Sequence, residues 1–274
     1  MISKQKQSKL RSRLFQHLDG IVAGPTAFVL KENGATDYLL SHKSVDIDSM
    51  ASDLGANNGY LNVALRTLCS QGWLSQHIDN SSNRVEYKIN DLSGTAFGYF
   101  GMYQEAMELL RMSEKYHPRK FEMEPFLKLE RTFENYKNHF KVELSNDSTI
   151  RNIQHQILAH IEGIMIGPTL VRLGMSGMFH KYFMETRFKA EEFHNDPSGF
   201  ERLLNILNQL GWFEKEDNFY KFTEDGLFFA KRASAYGVTV SYIPTLRKLD
   251  KIIFGNPLLL KNTAIGEKEK HVDR

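Results

Sequence analysis

The sequence predicts a mainly α-helical chain with small β-hairpin wings: tandem winged helix-turn-helix repeats joined by a packed helix. Three observations predict it. The decapeptide "HLDGIVAGPT", His17 to Thr26, returns as "HIEGIMIGPT", His160 to Thr169. Downstream of each, a helix with one apolar stripe runs into Gly-Trp: Leu61, Leu65 and Leu68 before Gly72-Trp73, and Phe200, Leu204 and Leu207 before Gly211-Trp212. Two short alternating segments then follow each Gly-Trp, the pattern of a hairpin.

The elements read in order as follows. "MISKQKQSKLRSRLFQHL" forms a first helix whose cations Lys4, Lys6, Lys9, Arg11 and Arg13 make its solvated face. Pro25, like Pro168, resets the chain into a next helix. "VDIDSMASDLG" is a short helix that starts at Asp-Ile-Asp and stops at Gly55. "NNGYLNVALRTLCSQ" is the second helix of the helix-turn-helix, and "LSQHIDNSSNRVEYKIN" is the wing. A helix over "TAFGYFGMYQEAMELLRM" closes the first repeat. Between the repeats, Phe126, Leu129, Phe133, Tyr136 and Phe140 fall on one helical face, so the connection is a packed helix. In the second repeat "FEKEDNFYKFTEDG" is the wing, and Thr223 caps a helix whose first turn carries Glu224 and Asp225. Pro244 kinks or splits the helix after that. The stretch "FHKYFMETRFKAEEFHND" gives the short helix of this repeat no firm place. The resulting boundaries are 1–112 for the first repeat, 113–147 for the connection and 148–256 for the second repeat. Residues 257–274 form a polar tail leading toward a further domain.

Composition narrows the functions. The chain is 41% hydrophobic and 25% charged, which suits a globular fold and neither a disordered nor a membrane class. A net charge of +2 demands no anionic partner. Cys69 stands alone, so no intrachain disulfide forms and a cytoplasmic setting is expected. No apolar run suits a signal peptide or a membrane helix.

Sites for chemistry are scarce, and no catalytic or metal residue is assigned. There is no Gly-rich loop of the dinucleotide or P-loop type. His155 and His160 are five apart, off the spacing of a helical metal pair, and His17 and His160 fill the same slot of the repeat. His160, like His17, reads as a structural histidine satisfied by nearby polar caps, with a metal pairing to Glu162 as the alternative. Cys69 reads as a core thiol, and His139 and His194 as surface groups. Gly20 and Gly24, like Gly163 and Gly167, lie four apart, where glycine lets a second backbone or a ligand come close. These four glycines, with Tyr60 and Trp73, form the candidate surface for packing or substrate. As DNA readers the two recognition helices are poor, with Arg66 in one and Arg202 beside Glu201 in the other, so nucleic acid is disfavoured.

The segment "VDIDSMASDLGANNGYLNVALRTLCSQGWLSQ" with the later "VEYKIN" resembles the winged-helix region that precedes the catalytic domain of many S-adenosylmethionine-dependent methyltransferases. The stretch "AYGVTVSYIPTLRKLDKIIFGNP" and the closing "HVDR" are similar to methyltransferases attached to polyketide synthase modules. The resemblance implies a non-catalytic lid or dimerisation element that contacts a methyltransferase catalytic domain or subunit and an acyl-carrier-bound substrate. It also implies that S-adenosylmethionine and the catalytic groups belong to a following Rossmann-like domain, with no cofactor bound by this chain. The rival readings are a winged-helix transcriptional regulator that binds DNA and a stand-alone interaction module, which forms a homodimer independent of ligand.

Overall fold

The structure is a computed structural model that describes residues 2–82, 84–112, 128–135, 144–175, 177–179, 187–193 and 197–255. The chain forms two compact units, each discontinuous in sequence. One comprises Met1–Ile21, Glu108–Leu144 and Leu158–Ser241; the other comprises Val22–Met107, Ser145–Ile157 and Tyr242–Arg274. Two long helices, α1 (Lys4–Glu32) and α8 (Ser148–Met175), contribute residues to both.

Those two helices correct the expectation for the prolines. Pro25 and Pro168 lie inside α1 and α8, and neither starts a new helix. Proline removes one helical hydrogen bond and crowds the residue before it. Here the preceding residues are Gly24 and Gly167, which have no Cβ to crowd. The following threonines hydrogen-bond back into their helices, Thr26 Oγ1 to the Val22 carbonyl at 2.8 Å and Thr169 Oγ1 to the Met165 carbonyl at 3.0 Å. The repeated Gly-Pro-Thr is thus a way of carrying proline through a helix.

The Val22–Met107 unit holds the first wing. After α2 (Ala35–His42), a strand β1 (Ser44–Asp46) leads into α3 (Ile47–Asp53) and α4 (Asn58–Ser70). Asp46 caps α3 by accepting from the Asp48 and Ser49 amides at 3.0 and 3.1 Å. Asp46→Ala is expected to cost about 1 kcal/mol in chemical denaturation, the usual worth of an N-cap; an unchanged midpoint would refute that role. The wing strands β2 (Ser75–Asp79) and β3 (Arg84–Lys88) pair antiparallel as expected. β1 was not foreseen: three residues are too few to show alternation. It pairs with the other edge of β3, Val45 opposite Tyr87, giving the order β1-β3-β2.

The predicted closing helix is broken into α5 (Ser93–Tyr99), a 3-10 turn (Phe100–Tyr103) and α6 (Gln104–Met112). Its aromatics supply the core: Phe100 lies 5.2 Å from the fully buried Trp73 and 5.2 Å from Phe97. The indole Nε1–H donates to Gln156 of α8 at 3.1 Å.

The other unit repeats the plan. Residues 128–135 form helix α7, on which Leu129 and Phe133 are buried one turn apart. Phe126, Tyr136 and Phe140 lie outside the described residues, as do His139, His194 and the tail after Gly255. Helix α9 (Pro197–Gln209) precedes strands β4 (Phe213–Glu216) and β5 (Phe219–Phe222). They pair antiparallel about Asp217, whose φ of 52° sets the tight turn. Ala190–Glu192 is a 3-10 turn, and Phe188 before it bridges to Tyr220. Thr223 caps α10 (Glu224–Ala230) as the sequence predicts, accepting from the Gly226 amide at 3.0 Å; α11 (Ala233–Val240) follows. In the Val22–Met107 unit again, Pro244 opens the short α12 (Ile243–Leu246), and α13 (Leu249–Ile253) reaches α4, where the Asn57 amide donates to the Ile253 carbonyl at 2.7 Å.

Both Gly-Trp steps are built alike. Gly72 and Gly211 adopt φ of 77° and 79°, a backbone that glycine takes without strain. The next residue's amide closes the helix, Trp73 to Leu68 at 3.1 Å and Trp212 to Leu207 at 2.9 Å. The glycine ends the helix, and the tryptophan turns into the core.

Candidate functional site

The repeated decapeptides meet where α1 crosses α8. A Cβ on Gly20 would lie 2.2 Å from the His160 Cα, and a Cβ on Gly163 would lie 2.2 Å from the His17 carbonyl oxygen. The contact is reciprocal: each repeat's glycine seats the backbone of the other repeat's histidine. Gly167 presses on Ile21 of α1, with 2.8 Å between its would-be Cβ and the Ile21 Cδ1. These three glycines therefore serve packing, and their surface is covered by protein rather than open to a ligand.

A chain of polar groups is buried at this crossing. Arg13 Nε donates to Glu162 Oε2 at 2.9 Å, and the guanidinium NH2 closes a second contact with the same carboxylate. Glu162 Oε2 lies 3.2 Å from His17 Nε2, and His17 Nδ1 lies 2.7 Å from the Tyr236 hydroxyl of α11. The imidazole is stacked on Phe229, 5.5 Å between centroids, and Phe229 is stacked flat on Trp212 at 4.3 Å. His17, His160 and Tyr236 are fully buried, and Glu162 is nearly so.

Physical chemistry fixes the protons. Burial opposes charge on Glu162, but the His17 hydrogen bond and the Arg13 guanidinium outweigh it and hold the carboxyl down at about 2. Burial lowers His17 in spite of Glu162, and lowers His160 to about 3. Burial also pushes the Tyr236 phenol well up, with Glu162 adding to it. At neutral pH the carboxylate can only accept, so His17 Nε2–H donates to it and Nδ1 accepts from the Tyr236 O–H. The order Tyr236, His17, Glu162, Arg13 is that of a proton relay, yet three of its members are sealed from solvent and from any substrate. The arrangement can hold a helix crossing in one register; it cannot reach a reacting atom.

Two members escaped the sequence reading. Arg13, counted with the solvated cations, is half exposed and anchors Glu162. Tyr236, in another element, satisfies His17 in place of a local cap. The one sequence signal for Arg13 is its spacing, one helical turn before His17. Glu162 pairs with His17 across the helix crossing.

The remaining sites fall as follows. Gly24 is buried inside α1 before Pro25, Trp73 is core, and Tyr60 is half exposed on α4 beside the exposed Val63. Cys69 is only half buried, and burial pushes its thiol up to about 11, so it is no nucleophile at neutral pH. On α9, Arg202 is engaged by Glu130 of α7 at 2.6 Å, and Glu201 by Lys215 of β4 at 2.9 Å. Among the described residues no cluster of His, Cys, Asp or Glu could hold a metal ion, and no helix is long and apolar enough to cross a membrane.

No curated protein matches the chain. Residues 10–76 match the family model described as the AprA N-terminal domain. Residues 162–256 match the AprA winged helix domain, which agrees with the α9, β4-β5 and α10 order found there.

Proposed function

We propose that the chain acts as the non-catalytic N-terminal region of an S-adenosylmethionine-dependent methyltransferase. It covers or contacts the active site of a catalytic domain or subunit that works on an acyl-carrier-bound substrate. The observation that carries this reading is the segment Val45 to Asn90. It folds as β1, α3, α4 and the β2-β3 wing, the order in which such enzymes place a winged helix ahead of their catalytic domain. The match of residues 10–76 to a domain described as N-terminal supports the same placement.

The described residues do not fit the methyl donor. Their strands run antiparallel, and none feeds a glycine loop and helix that could cradle S-adenosylmethionine. Donor and methyl-transfer chemistry are therefore assigned to the partner domain. The recognition helices support this over DNA binding: α9 spends Arg202 on Glu130, and α4 presents a single exposed cation, Arg66, beside the exposed Tyr60 and Val63. The test is the mass of the native product from its own cells. A species well above 31.6 kDa, or a stable complex with a methyltransferase subunit, is expected. A 31.6 kDa species with no such companion overturns the reading.

A further inference from the structure

We propose that the groove between the start of α1 and the length of α10 docks an acidic carrier protein and admits its phosphate-linked acyl arm. The inference rests on the methyltransferase reading above and names where the substrate carrier sits. Three observations place it.

The first is charge. Residues 2–18 contain five cations and no acid, and Lys4, Lys9 and Arg11 are exposed. Lys6 faces both Glu224 and Asp225, the latter at 2.7 Å, and around the groove Lys4, Lys6, Lys231 and Arg232 outnumber these two acids. The second is shape. A cavity of about 620 Å³ opens there, with apolar walls from Ile2, Leu227 and Phe228 and a cationic rim from Lys4, Lys231 and Arg232. The Arg232 guanidinium lies 3.7 Å from the Phe228 ring centroid and donates to the Phe228 carbonyl at 2.9 Å, so it is held at the rim. The third is continuity. Lys4, Arg11 and Phe15 share one face of α1, and Phe15 is 56% exposed on it.

An anionic arm with an apolar end matches a cationic rim over apolar walls, and an acidic protein surface matches the cations beyond it. Duplex DNA would leave the apolar walls unused. A membrane surface fits less well still, since the apolar face of α1, with Leu10 and Leu14, is already buried.

The experiment uses the full chain and two probes, a holo acyl carrier protein and its butyryl form, followed by fluorescence anisotropy. Binding that weakens steeply with salt is expected, with the butyryl form tighter than the holo form. The double variant K4E/R11E should bind both roughly 10-fold or more weakly with an unchanged melting temperature. Leu227→Asn should remove the preference for the butyryl form while leaving holo binding in place. The proposal is overturned by no binding, by K4E/R11E binding as well as the parent, or by tighter binding to a 20-base-pair duplex or to anionic phospholipid vesicles. Carrier binding by a native product that has no methyltransferase companion would refute the earlier reading and leave this surface standing. A native methyltransferase that ignores the carrier would do the reverse.

Discussion

Gly163→Ala is expected to lower the melting temperature by roughly 4–8 °C, although alanine is the better helix former. Helix propensity favours the change by about 1 kcal/mol. Against that, the new methyl would lie 2.2 Å from the His17 carbonyl oxygen and 2.5 Å from the His17 Cα. Both are backbone atoms of a neighbouring helix and cannot rotate aside, so α1 must move as a body. Overpacking of this kind costs about 1–3 kcal/mol and more where the obstacle is rigid, and each kcal/mol is about 2–4 °C for chains near this size. Gly20→Ala should behave alike, its methyl meeting the His160 backbone. Gly98→Ala on α5 supplies the contrast. It is exposed with nothing within 4 Å, and it should gain about 0.5–1 kcal/mol. A Gly163→Ala protein as stable as its parent, measured beside Gly98→Ala by calorimetry, would show that the helices do not cross here.

That pair of glycines also marks how far the fold was legible in the chain. A motif that must seat a backbone tolerates no side chain, so it repeats with its glycine, its histidine and its Gly-Pro-Thr intact. The stripes of Leu61, Leu65 and Leu68 and of Phe200, Leu204 and Leu207 were legible for a similar reason, because a buried helix face leaves a fixed period. The wings were legible from turn residues and alternation. The strand β1 was not, since a three-residue strand exists only by virtue of the open edge of β3. Helix continuity through Pro25 and Pro168 was missed because proline's rule is statistical, and it yields where the preceding residue is glycine. The partners of His17 were the hardest to see. Nothing near His17 in sequence points to Tyr236, and Arg13 differs from its basic neighbours only in standing on the side of α1 that meets Glu162.

The same buried groups should make the protein acid-labile, with a signature that can be assigned. His17 and His160 are held neutral in the fold, His160 with its pKa lowered to about 3. Unfolded histidines take up protons below about 6.5. Between these limits the unfolded chain binds more protons than the native one, so stability falls as pH drops. Each such histidine contributes a slope of about 1.4 kcal/mol per pH unit within its window. Glu162 acts in the same direction lower down: its pKa of about 2 in the fold lies below the ordinary 4.5, and its contribution is lost as pH falls through that interval. Urea midpoints at pH 7, 6 and 5 should therefore decline in the parent, and the decline should be shallower in the double variant His17→Asn/His160→Asn. That variant starts lower at pH 7, because Asn cannot span Tyr236 and Glu162. Glu162→Ala should cost about 3 kcal/mol at pH 7 while keeping the histidine slope, since it strands the His17 N–H but leaves both imidazoles buried. Arg13, half exposed, then turns to solvent, which keeps the loss at the lower end for a broken buried pair. A slope unchanged by the double histidine variant would mean that the crossing admits water, and that these histidines titrate as they would on a surface.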